Sequence, residues 1–256
     1  MKERVNNWKT LLHKAIEHIS RSGAPDIPWT LGGGTSLFLE FGHRYSQDID
    51  IFLPNPQMLG FLSPRIADEI HEDRDFLQYG EQAEYIKLYF TCGQVDFIAA
   101  GNITSCPPSR KVFDDKMVTV DHPAEVVLKK LFYRGGSRKI RDVFDIAVVY
   151  NEYPVAMIQS TPVLGERLKD IKEKFAEMIT DELWRENIEQ EIQVFDKWRP
   201  IIPCVHDICA LFFAHAERYC KTGEHRDEAS LWEEVRKLIN NSLPEISETT
   251  RYDGIT

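Results

Sequence analysis

At 256 residues, 43% hydrophobic and 28% charged, the chain has the balance of a globular protein and length for one large domain or two small ones. A net charge of −10 excludes broad electrostatic binding to long nucleic-acid duplexes, and no apolar run approaches the roughly 18 residues of a membrane span. Five scattered cysteines (Cys92, Cys106, Cys204, Cys209, Cys220) contain no Cys-x-x-Cys pair, which favours neither a disulfide framework nor a zinc site and fits a reducing cytoplasm.

In chain order, the first predicted element is an amphipathic helix over 5–19, with Trp8, Leu11, Leu12, Ala15, Ile16 and Ile19 on one face. Its polar breaks set it apart from a signal peptide. A Ser-Gly-Pro-rich turn leads to a short strand in which Ile27, Trp29 and Leu31 alternate, and three glycines then open a helix from Thr35 to Phe41. Asp48 to Leu53 reads as a second strand, closed by Pro54 and Pro56, and Pro64 is expected to begin a helix to about His71. Tyr85–Cys92 and Val95–Ala99 form a hairpin around Gly93–Gln94. From Pro123 the pattern turns helical, with Val126, Val127, Leu131 and Phe132 facing inward and Gly135–Gly136 closing the helix. The next helix carries Asp142 and Asp145, and further helices are expected near 163–180, 181–198, 205–221 and 226–240, with a frayed tail from Leu243. The fold class is therefore α+β: a small mixed sheet with flanking helices over 1–120, then an all-helical part over 121–256.

The chemistry concentrates between Leu31 and Leu53. Asp48 and Asp50 are two apart on a strand and project to one side, opposite Ile49 and Ile51. Carboxylates held that close repel unless a cation lies between them, and hard oxygen ligands suit Mg²⁺, which takes its remaining ligands from water and substrate phosphates. The glycines leave backbone N–H groups at a helix N-terminus, where an anion is favoured. Metal on one strand and phosphate on the adjacent turn describe a phosphoryl- or nucleotidyl-transfer site. Asp96, inside the returning strand of the hairpin, is the natural third carboxylate, as metal ligand or general base.

Charge is uneven: residues 1–150 hold 18 basic and 20 acidic side chains, and residues 151–256 hold 13 and 21. Lys129, Lys130, Arg134, Arg138, Lys139 and Arg141 form a basic cluster that suits a nucleotide or an RNA end rather than a long duplex. His206 and His215, nine apart with Cys209 between them, read as packing residues rather than metal ligands. The aromatic strand YIKLYF reads as cross-strand packing in preference to base stacking.

These residues resemble the AbiEii/AbiGii toxin family of nucleotidyltransferases, within the DNA polymerase β-like superfamily. One signature is Gly33, Gly34, Thr35, then Arg44, Ser46, Asp48, Ile49 and Asp50; a second is Glu125, Lys130, Arg134, then Arg141, Asp142, Phe144 and Asp145. Lys129 and Lys130 are adjacent, so either fits the signature's lysine, and counting from Glu125 favours Lys130. The resemblance implies an enzyme moving an NMP unit from an NTP to an acceptor with release of pyrophosphate. Asp48, Asp50 and Asp96 would hold Mg²⁺ and, with Lys130, form the catalytic set. Gly33, Gly34, Thr35, Ser36, Arg44, Ser46, Arg134, Asp142 and Asp145 would contact the nucleotide, with the helical domain completing its site. It further implies a toxin of a toxin–antitoxin or abortive-infection system, with a tRNA 3′ end as acceptor and a cognate antitoxin as partner. An aminoglycoside acceptor and a non-catalytic nucleotide-binding relative are the competing expectations.

Overall fold

The computed structural model describes residues 7–46, 48–135, 139–179 and 188–242. Arg138, Gly136, the start of the helix expected over 181–198 and the tail from Leu243 lie outside the described residues. The chain divides into two compact units: one of residues 1–41, 46–102 and 107–122, the other of residues 42–45, 103–106 and 123–256.

The first unit is built on one seven-stranded sheet. Its strands are β1 (Thr30–Gly32), β2 (Ile49–Leu53), β3 (Phe76–Gln82), β4 (Tyr85–Phe90), β5 (Gly93–Ala99), β6 (Ser109–Phe113) and β7 (Lys116–Val120), in the order β3-β4-β5-β2-β1-β7-β6. β2 runs parallel to β5 and β1 parallel to β7, and the other four pairings are antiparallel. Helix α1 (Trp8–Arg21) buries Leu11, Leu12, Ala15 and Ile19 and packs on β2 and β5. Ile49, Ile51, Leu53, Val95 and Phe97 meet it from the sheet, all fully buried. This apolar contact fixes which face each strand turns inward and so which residues line the opposite face. Helix α2 (Gly33–Phe41) leaves β1 directly, and a short α3 (Leu59–Leu62) follows β2.

Three strands depart from the sequence expectation, and each has a reason. β3 is an edge strand none of whose residues is fully buried, so it lacks the apolar alternation that marks a half-buried strand. β6 and β7 form a hairpin across Asp114, which sits in the left-handed region at φ 56°, a conformation Asp tolerates through its short polar side chain. The helix expected from Pro64 is replaced by a 3-10 turn over Asp68–Glu72.

The second unit contains α4 (Pro123–Arg134), α5 (Ile140–Glu152), α6 (Pro154–Ser160), α7 (Arg167–Ile179), a single turn α8 (Ile188–Glu191), α9 (Val205–Thr222) and α10 (Glu228–Ser242). Its central element is α5, buried from Asp142 to Asn151 and packed against α4 and α9. Pro200 and Pro203 lack the N–H that an α-helix needs, and Asp196–Cys204 is accordingly 3-10. Gly223 ends α9 at φ +71°, its N–H donating to Tyr219 O at 2.8 Å. Among the described residues no helix is long and apolar enough to cross a membrane.

Candidate active site

In the first unit, strand register gathers the acidic residues. Asp50 on β2 lies opposite Asp96 on β5, which lies opposite Lys87 on β4, and Gly32 on β1 lies opposite Asp50. The row Gly32–Asp50–Asp96–Lys87 therefore crosses four strands on the face opposite α1. Asp48 precedes β2, two residues before Asp50. Asp96 is 6% exposed; Lys87 donates to its Oδ2 and the Gln94 amide to its Oδ1 at 3.1 Å. Burial and the neighbouring Asp50 and Asp48 charges push the Asp96 carboxyl up to about 6, against the opposing pull of Lys87.

The glycine turn is fitted to this row. Gly33 has φ +68°, and a Cβ there would stand 1.7 Å from Asp50 Oδ2. Only glycine permits both that backbone conformation and that approach. Gly34 follows inside α2. The Thr35 hydroxyl donates to the Asp48 carbonyl at 2.5 Å and lies 3.1 Å from Ser46 Oγ; the Ser36 hydroxyl donates to Gly33 O at 2.9 Å. Thr35 and Ser36 are both buried. Their hydroxyls thus brace the turn and the segment that delivers Asp48.

Asp50 and Asp96 offer carboxylate oxygens on one face, a donor type that suits a hard divalent cation, and their like charges raise the cost of ionising Asp96. Asp48 Oδ1, by contrast, lies 3.5 Å from where a Gly93 Cβ would stand, near Leu11 of α1. Among the described residues no three His, Cys, Asp or Glu side chains already close around one ion position.

The remaining sequence-selected residues meet in the second unit, which holds both the 42–45 segment and α4–α5. Arg44 grips Asp145 with two donors, Nε at 2.6 Å and Nη2 at 2.7 Å, and His43 Nε2 adds a contact at 2.8 Å. Lys130 pairs with Asp145 and lies 3.2 Å from Asp142, which Arg134 reaches at 3.0 Å. Burial opposes ionisation of Asp145, yet the Arg44 and Lys130 charges outweigh it and hold the carboxyl well below its usual range. Lys129 is buried beside Glu125, whose two oxygens accept the N–H groups of Ile103 and Thr104 at 2.8 Å each. The adjacent lysines thus belong to different networks.

Sequence reasoning missed two residues of the first unit's site. Lys87 was read as one polar position of a hairpin; the signal available was its place opposite Asp96 across a two-residue turn. Asp121 follows β7, is 3% exposed, and its Oδ2 lies 3.2 Å from where a Gly32 Cβ would stand. It was hidden because β7 itself was not recognised. Of the other singled-out groups, His215 bonds Tyr150 Oη at 2.6 Å and Glu234 at 3.2 Å, and Cys209 is a buried free thiol.

Among solved structures, the fold is similar to that of an H. pylori protein described as a candidate nucleotidyltransferase, at TM-score 0.50 and 15% identity over 88% of this chain and 100% of that one. ANT(2″)-Ia, solved in complex with adenylyl-2″-tobramycin, aligns at TM-score 0.37 and 16% identity over 67% and 97% of the two chains, too distant to bear on this one. No curated protein matches the sequence. The model of the nucleotidyl transferase AbiEii toxin family, of type IV toxin–antitoxin systems, matches residues 17–201, a span that takes in both the carboxylate row and the α4–α5 charges. With nearly three quarters of its length inside that match, the chain belongs to the AbiEii family of nucleotidyltransferase toxins.

Proposed function

We propose that this nucleotidyltransferase moves an NMP unit from an NTP to the 3′ end of tRNA in the cytoplasm, held in check by a cognate antitoxin. The observation that supports the site is the register that sets Asp50 against Asp96, with the Gly33 backbone in the space a Cβ would fill. Asp48, Asp50 and Asp96 would hold Mg²⁺, which when bound neutralises phosphate charge and supports in-line displacement. The glycine turn presents backbone donors to the terminal phosphates. The acceptor hydroxyl oxygen forms the new bond to the α-phosphorus, and the bond from that phosphorus to the bridging oxygen breaks, releasing pyrophosphate. Asp96, its carboxyl near 6, takes the hydroxyl proton; a base poised close to the working pH is efficient in that role.

The resemblance also assigns the nucleotide to Arg44, Lys130, Arg134, Asp142 and Asp145. Lys130→Ala separates a ligand role from a structural one: the first weakens NTP affinity at unchanged melting temperature, the second lowers the melting temperature. A second acceptor class is favoured by one observation, the excess of 21 acidic over 13 basic side chains in residues 151–256, which suits a cationic aminoglycoside. The test is incubation with Mg²⁺, each α-labelled NTP, and either total tRNA or an aminoglycoside. Label in tRNA that disappears with Asp48→Ala and Asp50→Ala upholds the proposal. Label in the antibiotic moves it to the second class, and transfer unaffected by both substitutions sinks it.

A further inference from the structure

A cavity of about 510 Å³ opens in the first unit beside the carboxylate row. Its place follows from strand register. One step along the same face from the row Gly32–Asp50–Asp96–Lys87 runs the row Thr30–Phe52–Ile98–Tyr85, about 7 Å away at the usual rise of two strand residues. Thr30 and Phe52 line the cavity, with Trp29, Met117, Thr119 and Asn102. The Phe52 ring lies against Gly32, since a Cβ on that glycine would come within 2.3 Å of it. Phe52 is therefore a wall shared by the cavity and the glycine turn.

The lining contains no charged side chain. It offers an indole, a phenyl ring and a thioether, with two hydroxyls and one amide at its polar points. A polycationic amine would find no carboxylate there, and a phosphate no cation. A planar, neutral heterocycle with hydrogen-bonding edges finds aromatic faces to stack on and groups to read its rim. The geometry points to a nucleobase pocket, placed one strand step from the carboxylates that would act on the attached phosphate or hydroxyl. This inference rests on the nucleotidyl-transfer reading for its role, although the binding it describes is measurable without transfer. The base comes from one of two sources, the NTP or the terminal residue of an RNA acceptor.

Calorimetry with the full chain decides between them. The probes are each NTP, a single-stranded RNA trinucleotide, inorganic tripolyphosphate and tobramycin. Trp29→Ala is expected to weaken one of the two base-bearing probes about tenfold and to leave tripolyphosphate unchanged. Met117→Ala, at a position 60% exposed and therefore safe for folding, is expected to weaken the same probe about threefold. Loss confined to NTP assigns the pocket to the nucleotide, and loss confined to RNA assigns it to the acceptor. Unchanged binding of both probes by folded variants, equal loss of tripolyphosphate, or displacement of the base-bearing probe by tobramycin overturns the inference. Base-dependent binding in a protein that transfers nothing would leave the pocket standing and remove only the enzymatic reading.

Discussion

The Gly33 backbone lies so close to the Asp50 carboxylate that no side chain fits at position 33. In Gly33→Ala a methyl group would enter the Asp50 carboxylate from a backbone held at φ +68°, so the turn must move away from the row. The expected result is loss of nucleotidyl transfer of at least about 100-fold with about 1–2 kcal/mol lost from stability, read from steady-state rates and urea unfolding. Asp96 gives the opposite stability sign. Its folded-state carboxyl is raised to about 6, so ionised Asp96 costs the fold stability that is intact below its unfolded value near 3.9 and lost as pH rises through about 6. Without metal, Asp96→Asn is therefore expected to be more stable than the parent by on the order of 2 kcal/mol at pH 8, and equal to it near pH 3.5, while being inactive. Parallel melting curves at both pH values with Mg²⁺ removed test this; a variant less stable at pH 8 would contradict the cause given for the shift.

At the scale of the element, α5 carries the charged core of the second unit. Asp145 is fully buried, and Arg44, Lys130 and His43 all converge on it. Asp145→Asn removes the counter-charge that Arg44 and Lys130 share, leaving Lys130 with Asp142, and is expected to cost about 3–5 kcal/mol. The sign with pH is that of a depressed carboxylate: its stabilisation is present above the unfolded value near 3.9 and is lost as pH falls below it. The gap between parent and variant should therefore be wide at pH 7 and narrow below about pH 4. A constant gap in denaturant unfolding across that range would show that the ion pairs are not its source. Glu125 plays a comparable part on α4, since it accepts the N–H groups of Ile103 and Thr104 and ties that segment to its unit.

For the molecule as a whole, the net charge of −10 sets what it can hold. Long-duplex binding draws on many phosphate contacts and the counterions they release, and an acidic protein repels rather than gathers such a polyanion. A duplex RNA of about 20 base pairs should therefore show no mobility shift at 150 mM salt, whereas NTP binding, which relies on local donors and metal, should persist. A salt-sensitive shift of the duplex would reveal a basic surface that the total charge conceals.

The glycine turn, its helix and the Asp48–Asp50 strand were legible because strand alternation and turn chemistry are local properties of consecutive residues. The same holds for the β4–β5 hairpin and for α4, α5, α9 and α10. β3 escaped because an exposed edge strand needs no apolar pattern, and β6–β7 because their hairpin turns on two aspartates rather than on glycine. Pairing across distance was decided only by the tertiary structure. The sequence placed Asp96 as a third carboxylate, but its parallel register with Asp50, the Lys87 contact beside it and Asp121 near Gly32 depend on which strands become neighbours. The charges of Arg44, Lys130, Asp142 and Asp145 were visible one by one, and their union in a single buried network was not. Local conformation is set by near neighbours in the chain, whereas the ionisation and contacts of a buried charge are set by whatever the fold brings beside it.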